Sequence, residues 1–160
     1  MYYLEVFNAL NNANIRYVVI GGTAIVLYGV PRSTHDVDLL LAMDETNLLK
    51  AIHELETLGY KTRLPVKSTD FASETKRKEW MEQKNMQAFT FHKSGKEFLT
   101  VDFVFGQPID FDSVYERRIL KMMDGIEIPL ISVDDLIELK KNANRKQDIS
   151  DIESLNKLRR

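Results

Sequence analysis

The stretch that decides the fold is VVIGGTAIVLYGVPRSTHDVDLLL, residues 18–41. A Gly-Gly pair interrupts its first apolar run, and Asp36 and Asp38 stand one residue apart in its second. In a strand such a pair shares one face, where two carboxylates repel each other unless a positive group lies between them. The order of strand, Gly-Gly, short helix and acidic strand therefore predicts a site that binds a cation together with an anion.

The composition indicates a folded protein outside the membrane. The 160 residues are 44% hydrophobic and 29% charged with a net charge of −2, which disfavours both disorder and general polyanion binding. No apolar run approaches the roughly 18 residues that span a bilayer, and the amino terminus lacks a signal-peptide pattern. The absence of cysteine excludes disulfides and thiolate metal sites. We therefore expect a cytoplasmic protein with no membrane contact.

Predicted strands and helices alternate along the chain, with hairpin signals at residues 93–96 and at Asp124-Gly125. This pattern predicts an α/β (α+β) fold, a mixed sheet flanked by helices with a carboxy-terminal helix pair. One domain would cover residues 1–160, with a core at about 15–131 and the helix pair at about 132–158. The predicted strands are 17–20, 34–42, 86–92, 97–105, 119–123 and 126–131. The predicted helices are 2–12, 23–28, 45–58, 111–117, 132–142 and 146–158, and residues 70–84 are helical in part.

The Gly21-Gly22 pair lies at a predicted turn from strand to helix. Missing side chains there allow a phosphate to approach the backbone, and the helix amides and the Thr23 hydroxyl would face that anion. Neither GxxxxGK[ST] nor GxGxxG occurs in the sequence, so the pattern is not that of a P-loop or a Rossmann site. These residues are the first candidates for nucleotide binding.

A third carboxylate, Asp102, lies in the apolar run LTVDFVF of residues 99–105. A charged residue in the middle of a buried strand favours a functional explanation. Beside Asp36 and Asp38 it would complete a three-carboxylate site. Hard oxygen ligands suit Mg²⁺ or Mn²⁺, and two such ions can activate an attacking oxygen and stabilise a leaving pyrophosphate.

The segments Ile20-Gly21-Gly22 and Asp36-Val37-Asp38-Leu39 together resemble the defining motif of the nucleotidyltransferase fold superfamily, which includes DNA polymerase beta and kanamycin-type antibiotic nucleotidyltransferases. The resemblance implies that Asp102 is the third family carboxylate. It also departs from the family, because Gly22 stands where many relatives have Ser. The chain is too short for the large helical domain that binds acceptors in many relatives, which leaves acceptor recognition open.

The carboxy-terminal segments LIELK, residues 136–140, and RKQDISDI, residues 145–152, are similar to the closing motifs of bacterial abortive-infection toxin nucleotidyltransferases of type IV toxin–antitoxin systems. By this resemblance Lys140 would contact the triphosphate, and Arg145, Lys146 and Asp148 would form the wall beside it. An antitoxin partner would follow as well. The alternative is a plain amphipathic helix pair with exposed charges.

The resulting hypothesis is transfer of an NMP from an NTP to an acceptor hydroxyl, with release of pyrophosphate. Asp36, Asp38 and Asp102 would be both catalytic and metal-binding. Arg32 would either help to neutralise the phosphates or pair with Asp36 to position the motif. The alternatives are a non-catalytic nucleotide-binding or toxin–antitoxin module and a phosphohydrolase. The tRNA 3′ end, a protein hydroxyl and a small molecule such as an aminoglycoside are the acceptors considered. The basic stretch KRKEW, residues 76–80, is either a nucleic-acid contact or a solvated helix.

Overall fold

The computed structural model describes residues 3–95 and 99–159 of the chain. Within that part, the strands are β1 (Tyr17–Ile20), β2 (Asp36–Leu41), β3 (Tyr60–Thr62), β4 (Ala88–Lys93), β5 (Thr100–Val104), β6 (Ile119–Met123) and β7 (Ile126–Leu130). They form one seven-stranded sheet in the order β3-β4-β5-β2-β1-β7-β6. Strand β2 is parallel to β5 and β1 is parallel to β7, whereas the other neighbours are antiparallel. The predicted mixed sheet is therefore confirmed.

Helices flank this sheet. They are α1 (Leu4–Asn12), α2 (Gly21–Leu27), α3 (Glu45–Thr57), α4 (Glu74–Lys84), α5 (Phe111–Glu116), α6 (Val133–Ala143) and α7 (Lys146–Leu158), with a 3₁₀ helix at Ser68–Ala72. Helices α6 and α7 pack on each other as the predicted carboxy-terminal pair. Across residues 3–95 and 99–159, every helix is too short or too polar to traverse a bilayer.

Local sequence signals explain where several elements begin and turn. The Asp44 carboxylate accepts a hydrogen bond from the amide of Asn47 at 2.9 Å, which satisfies one free donor at the start of α3. Ser132 caps α6 in the same way, through the amide of Asp135 at 3.2 Å. Between β6 and β7, Asp124 and Gly125 both have positive φ, as a type I′ hairpin turn requires.

The two faces of the sheet differ in chemistry. One face packs aromatic rings against the 3₁₀ helix and α4, and the rings in contact are Phe71, Trp80, Phe89, Phe91, Phe103 and Phe105. Because side chains alternate along a strand, the neighbours of these aromatic residues point to the opposite face. That second face carries the polar residues of β2, β4 and β5, including Asp38 and Asp102. Burial of the first face leaves the second available for chemistry.

Three local expectations differ from the structure. Helix α2 begins at Gly21 rather than at residue 23, so the Gly-Gly pair opens the helix, and Gly21 enters it with a positive φ that glycine tolerates. Strand β3 was not expected, since three residues give no readable alternation. On α7 the spacing of three and four residues predicts an apolar side made of Ile149, Ile152, Leu155 and Leu158. The structure buries Leu155 together with Asp148 and Asp151, whereas Ile149 is 55% exposed. Part of the predicted hairpin, residues 96–98, lies outside the described residues.

The basic stretch at residues 76–80 does not present an aromatic ring to solvent. Trp80 is buried and stacks on Phe89 at 5.4 Å between ring centroids. Arg77 is also buried and donates to the carbonyl of Phe71 at 2.6 Å. Both side chains therefore belong to the packing of α4, and only the exposed positions of this stretch match the expected solvated helix.

Candidate active site

The three predicted acidic residues lie in adjacent rows of the polar sheet face. Asp38 on β2 is the direct register partner of Asp102 on the parallel strand β5. Asp36 is one row further along and is the register partner of Thr100, whose hydroxyl donates a hydrogen bond to Asp36 Oδ1. Residues in register on neighbouring strands share a face, so the structure brings the three carboxylates together.

The turn after β1 approaches this group closely. Gly21 has a φ of +65°, and a Cβ at this position would overlap Asp38 Oδ2. A residue with a side chain would therefore be both strained and in conflict with Asp38. Glycine at this position allows the backbone of the β1–α2 turn to pass directly over the second carboxylate.

A cavity of about 620 Å³ opens beside Asp38, between the sheet and the α6–α7 junction. We call it the nucleotide cavity. Its lining includes Gly21 and Asp38 on one side and Leu139, Lys140 and Arg145 on the other. The structure therefore brings the Gly-Gly turn, one carboxylate and two of the predicted carboxy-terminal residues to the same space.

Lys140 is the centre of a buried ion cluster. Its ammonium nitrogen lies 3.0 Å from Asp148 Oδ1 and 2.7 Å from Asp151 Oδ2. The exposed fractions of these three residues are only 5%, 1% and 3%, respectively. Two carboxylates thus bind the Lys140 ammonium group, which the family resemblance had predicted to contact the triphosphate. In this structure Lys140 joins α6 to α7 and reaches the nucleotide cavity at its edge.

Arg145 is the accessible cation of the same cluster. Its Nε donates to Asp148 Oδ2 at 2.9 Å, while its side chain remains 74% exposed. The Asp148 carboxylate also accepts from the Arg145 backbone amide at 3.0 Å, which caps the start of α7. Arg145 Nη2 also donates to Asp148 Oδ1 at 3.4 Å, so Asp148 fixes the direction of this guanidinium, which lines the nucleotide cavity.

Arg32 extends the cluster to the Gly-Gly turn. Its Nε lies 3.4 Å from Asp151 Oδ1, so its ion pair is with α7 and not with Asp36, the partner considered from the sequence. A Cβ at Gly22 would overlap the Arg32 guanidinium, which means that this guanidinium lies directly on the glycine backbone. The second glycine thus allows contact with an arginine of the same chain.

Thr23 occupies a position different from the one expected. Its hydroxyl donates a hydrogen bond to the Asp36 carbonyl at 2.7 Å, and the residue is only 2% exposed. The hydroxyl is thus directed at β2 rather than at an open anion site. Its observed contact attaches α2 to the first residue of the acidic strand and so holds Asp36 in place.

Burial and mutual repulsion make the carboxylate group electrostatically unfavourable without a cation. Burial first, then the nearby charges of Asp102 and Asp36, raises the pKa of Asp38 to about 6. Burial also raises the pKa of Asp102, and Asp36 adds to the rise. By contrast, burial alone would raise the pKa of Asp148, but hydrogen bonds from Arg145 and Lys140 outweigh it and hold that pKa at about 2. Asp148 is thus already paired with cations, whereas the three sheet carboxylates form no ion pair with any other described residue.

These carboxylates fit a divalent cation by their chemistry. Asp102 Oδ1 is buried and has no hydrogen-bond partner among the described residues, so one lone-pair site remains unused. Among residues 3–95 and 99–159, no three acidic or histidine side chains already surround one metal position. Asp36 Oδ1 instead accepts the hydrogen bond from the Thr100 hydroxyl. Oxygen donors of the kind that Mg²⁺ or Mn²⁺ prefers are nevertheless present on one sheet face.

Two residues of this region were missed from the sequence. Asp151 has the appearance of an ordinary helix acid, although its three-residue spacing from Asp148 is a signal for a shared cation. The Tyr3 hydroxyl donates to the His35 carbonyl immediately before the acidic strand. Burial and the charge of Asp36 raise the pKa of Tyr3, consistent with its place beside the site. No local pattern in the sequence indicates this contact.

Comparison with known proteins agrees with the geometry of the site. The sequence matches the family described as nucleotidyltransferase of unknown function (DUF6036) over residues 4–158. The chain belongs to this nucleotidyltransferase family. The predicted superfamily and enzyme class are thereby confirmed, whereas the narrower likeness to abortive-infection toxins stays a prediction. Comparison with curated protein sequences gave no match.

Solved structures of the same fold include two antibiotic-modifying enzymes. The lincosamide antibiotic adenylyltransferase LnuA, solved with lincomycin, is 16% identical with a TM-score of 0.58, over 94% of this chain and 92% of that one. The enzyme ANT(2″)-Ia, solved with adenylyl-2″-tobramycin, is 13% identical with a TM-score of 0.59, over 97% and 88%. An antigenic nucleotidyltransferase-like protein from Paracoccidioides brasiliensis is 18% identical with a TM-score of 0.56, over 97% and 76%. At such identities the likeness establishes the fold.

Proposed function

We propose that the chain is a divalent-metal-dependent nucleotidyltransferase that moves an NMP from an NTP to a hydroxyl acceptor and releases pyrophosphate. The observation that carries the proposal is the group of Asp36, Asp38 and Asp102 on one sheet face, beside a cavity that is also lined by Gly21 and Arg145. Reliance on an NTP agrees with the expected cytoplasmic location. We also propose that the whole chain works as one domain, since the Arg32–Asp151 contact ties α7 to the sheet region.

Asp36, Asp38 and Asp102 would hold Mg²⁺ or Mn²⁺, in two ions if the site follows the predicted pattern. When bound, such ions neutralise phosphate charge and lower the pKa of an attacking hydroxyl. Asp102 Oδ1 has no hydrogen-bond partner among residues 3–95 and 99–159, and burial and repulsion raise the pKa of Asp38 despite the nearby charges of Arg145 and Lys140. Both features support this assignment, because a bound cation would relieve them.

The chain's own residues supply positioning and charge for the reaction. A bond forms between the acceptor oxygen and the α-phosphorus, the bond from the α-phosphorus to the bridging oxygen breaks, and pyrophosphate leaves. The hydroxyl proton would pass to a carboxylate, and we assign this role to Asp102, whose buried Oδ1 has no hydrogen-bond partner within the described part of the chain. Arg145, exposed beside the nucleotide cavity, would pair with the phosphates as their charge develops.

The remaining residues that were predicted to bind the nucleotide either border it or hold other site residues in place. Gly21 and Gly22 would border the nucleotide, and Arg32 lies on the second glycine. Lys140 and Asp148 would mainly hold the cluster that orients Arg145, since their charges already neutralise each other. Thr23 would support Asp36 from behind. The possible role as an abortive-infection toxin with an antitoxin partner rests only on the carboxy-terminal sequence motifs.

Product analysis tests this function directly. The protein is incubated with Mg²⁺ and each NTP labelled at the α-phosphate, together with total cellular RNA, protein or small-molecule extracts. We expect label to appear in an acceptor with stoichiometric pyrophosphate, and Asp36→Asn and Asp38→Asn each to abolish it. Release of inorganic phosphate or free NMP with water as the acceptor would instead identify a phosphohydrolase. Normal transfer by Asp38→Asn would contradict the proposed mechanism.

A further inference from the structure

A second cavity lies on the other side of the carboxylates from the nucleotide cavity. Its volume is about 250 Å³, and its lining residues are Arg63, His92, Lys93, Leu99 and Thr100. We call it the acceptor cavity. Thr100 belongs to this lining and also donates a hydrogen bond to Asp36, so the cavity adjoins the predicted metal site. None of its five lining residues has a role in the proposed nucleotidyl transfer.

The sheet register fixes the order of the two cavities. Ala88 and Val104 form a row that lines the nucleotide cavity. The next row contains Asp102 and Asp38, and the row after it contains His92, Thr100 and Asp36. Moving along the strands, one therefore passes from the nucleotide cavity over the carboxylates to the acceptor cavity. A nucleotide and an acceptor placed in these two cavities would meet at the carboxylates.

The acceptor cavity has a positive lining. Among the described residues, none of its lining side chains is a carboxylate. Arg63 is exposed and forms no ion pair within residues 3–95 and 99–159. Lys61, the exposed register partner of His92, adds a second positive charge nearby. Lys93 pairs with Glu5 at 2.9 Å, so its charge is already balanced.

Arg63 also stands close enough to the reaction centre to influence it. The amide of Arg63 donates to the carbonyl of Thr90, and Thr90 is the register partner of Asp102. The Arg63 charge acts to lower the pKa of Asp102, against the rise that burial produces. In addition, His92 Nδ1 is buried without a hydrogen-bond partner among the described residues, so the cavity wall contains an unused polar atom.

We propose that the acceptor carries a phosphate group next to its reacting hydroxyl and that Arg63 binds this phosphate in the acceptor cavity. This inference rests on the proposed nucleotidyl transfer and narrows its substrate class. A guanidinium pairs strongly with phosphate oxygens and repels ammonium groups. The lining therefore disfavours polycationic amino sugars such as tobramycin. Either the end of an RNA strand or a small sugar phosphate supplies the required chemistry.

Binding and transfer are measured with two probes and matched variants. The probes are a short fluorescein-labelled RNA with a free 3′ hydroxyl and ribose 5-phosphate, with ribose and tobramycin as comparison acceptors. Arg63→Glu should weaken binding of the phosphate-bearing probe by about tenfold or more, because one charge-assisted contact is lost and reversed. For RNA, the slope of log K against log salt should fall by about 1. Lys121→Glu, a change at an exposed position on β6 at the opposite edge of the sheet, is the control and should leave binding unchanged.

The outcomes separate this inference from the proposed function. Mg²⁺-dependent binding of an NTP to the unmodified protein is measured first, and its absence would contradict the proposed function and this inference with it. When the NTP binds, transfer to RNA alone would identify the acceptor as the end of a nucleic acid. Transfer to ribose 5-phosphate alone would identify it as a small sugar phosphate. Sensitivity of either to Arg63→Glu supports the inference. Transfer to ribose or tobramycin with neither phosphate-bearing probe used would overturn it. Equal loss of binding in Arg63→Glu and Lys121→Glu would overturn it as well.

Discussion

Replacement of Asp38 by asparagine should make the metal-free protein more stable while abolishing transfer. Burial and the charges of Asp102 and Asp36 raise the pKa of Asp38 to about 6. The ordinary aspartate pKa is about 3.9, and each unit corresponds to about 1.36 kcal/mol. Ionised Asp38 therefore costs the metal-free fold up to about 3 kcal/mol at neutral pH, and we expect Asp38→Asn to recover about 1 to 3 kcal/mol of unfolding free energy.

The pH dependence of this gain has a definite sign. Because the folded carboxyl binds its proton more tightly than the unfolded one, the Asp38 contribution favours folding below the unfolded pKa. That contribution is lost as the pH rises from about 4 to about 6 and is constant above. Asparagine does not titrate. The stability difference between the variant and the unmodified protein should therefore be largest at pH 7 and small near pH 4.

Urea unfolding in the presence of EDTA measures both predictions, at neutral and at acidic pH. Asp134→Asn is the matched control, because its side chain is 72% exposed and its ion pair with Arg159 lies at the surface. We expect this control to change stability by no more than about 0.5 kcal/mol at either pH. A loss of stability in Asp38→Asn at pH 7, or an equal gain at both pH values, would refute the electrostatic reasoning about the site.

Three further predictions concern the residues around the site. Lys140→Met should destabilise the protein by about 3 kcal/mol in urea unfolding, since it removes the buried cation that Asp148 and Asp151 share and leaves them only Arg145 and Arg32, whereas the exposed Lys141→Met should have little effect. Gly21→Ala should cost about 1 kcal/mol more than Gly29→Ala, because both have positive φ but only Gly21 faces an obstacle, Asp38; equal losses would argue against this close approach. Arg145→Ala should weaken NTP binding by about tenfold in a calorimetric titration, and the distant Arg159→Ala should not; similar affinities in both would remove Arg145 from the site.

Much of the fold could be predicted because its signals are local. The Asp44 cap, the Asp124-Gly125 turn and the apolar strand at β1 each depend on a few neighbouring residues. Strand β3 could not be predicted in this way, because its pairing with β4 supplies the stability that three residues lack. The register that aligns Asp38 with Asp102 likewise depends on contacts between distant parts of the chain.

The site residues that could be predicted are those whose charge is unusual for the apolar sequence around them. Asp36, Asp38 and Asp102 are noticeable in sequence because carboxylates are unusual within apolar strands. Lys140 and Asp151 give no such signal, because charged residues on a helix are usually exposed. Their burial follows from mutual pairing across α6 and α7, so the inward side of α7 combines Asp148 and Asp151 with Leu155, which the apolar spacing did predict.

The most direct test of the central proposal is the thermal stability of the protein with each NTP, with and without Mg²⁺. A ligand at about 100 times its dissociation constant adds about 2.7 kcal/mol, which corresponds to roughly 5 to 10 °C for a domain of this size. We predict such a rise for at least one NTP, only with Mg²⁺, and none in the Asp36→Asn/Asp38→Asn double variant relative to its own baseline. No rise with any NTP, or an equal rise in the double variant, would contradict a carboxylate-bound metal–nucleotide site.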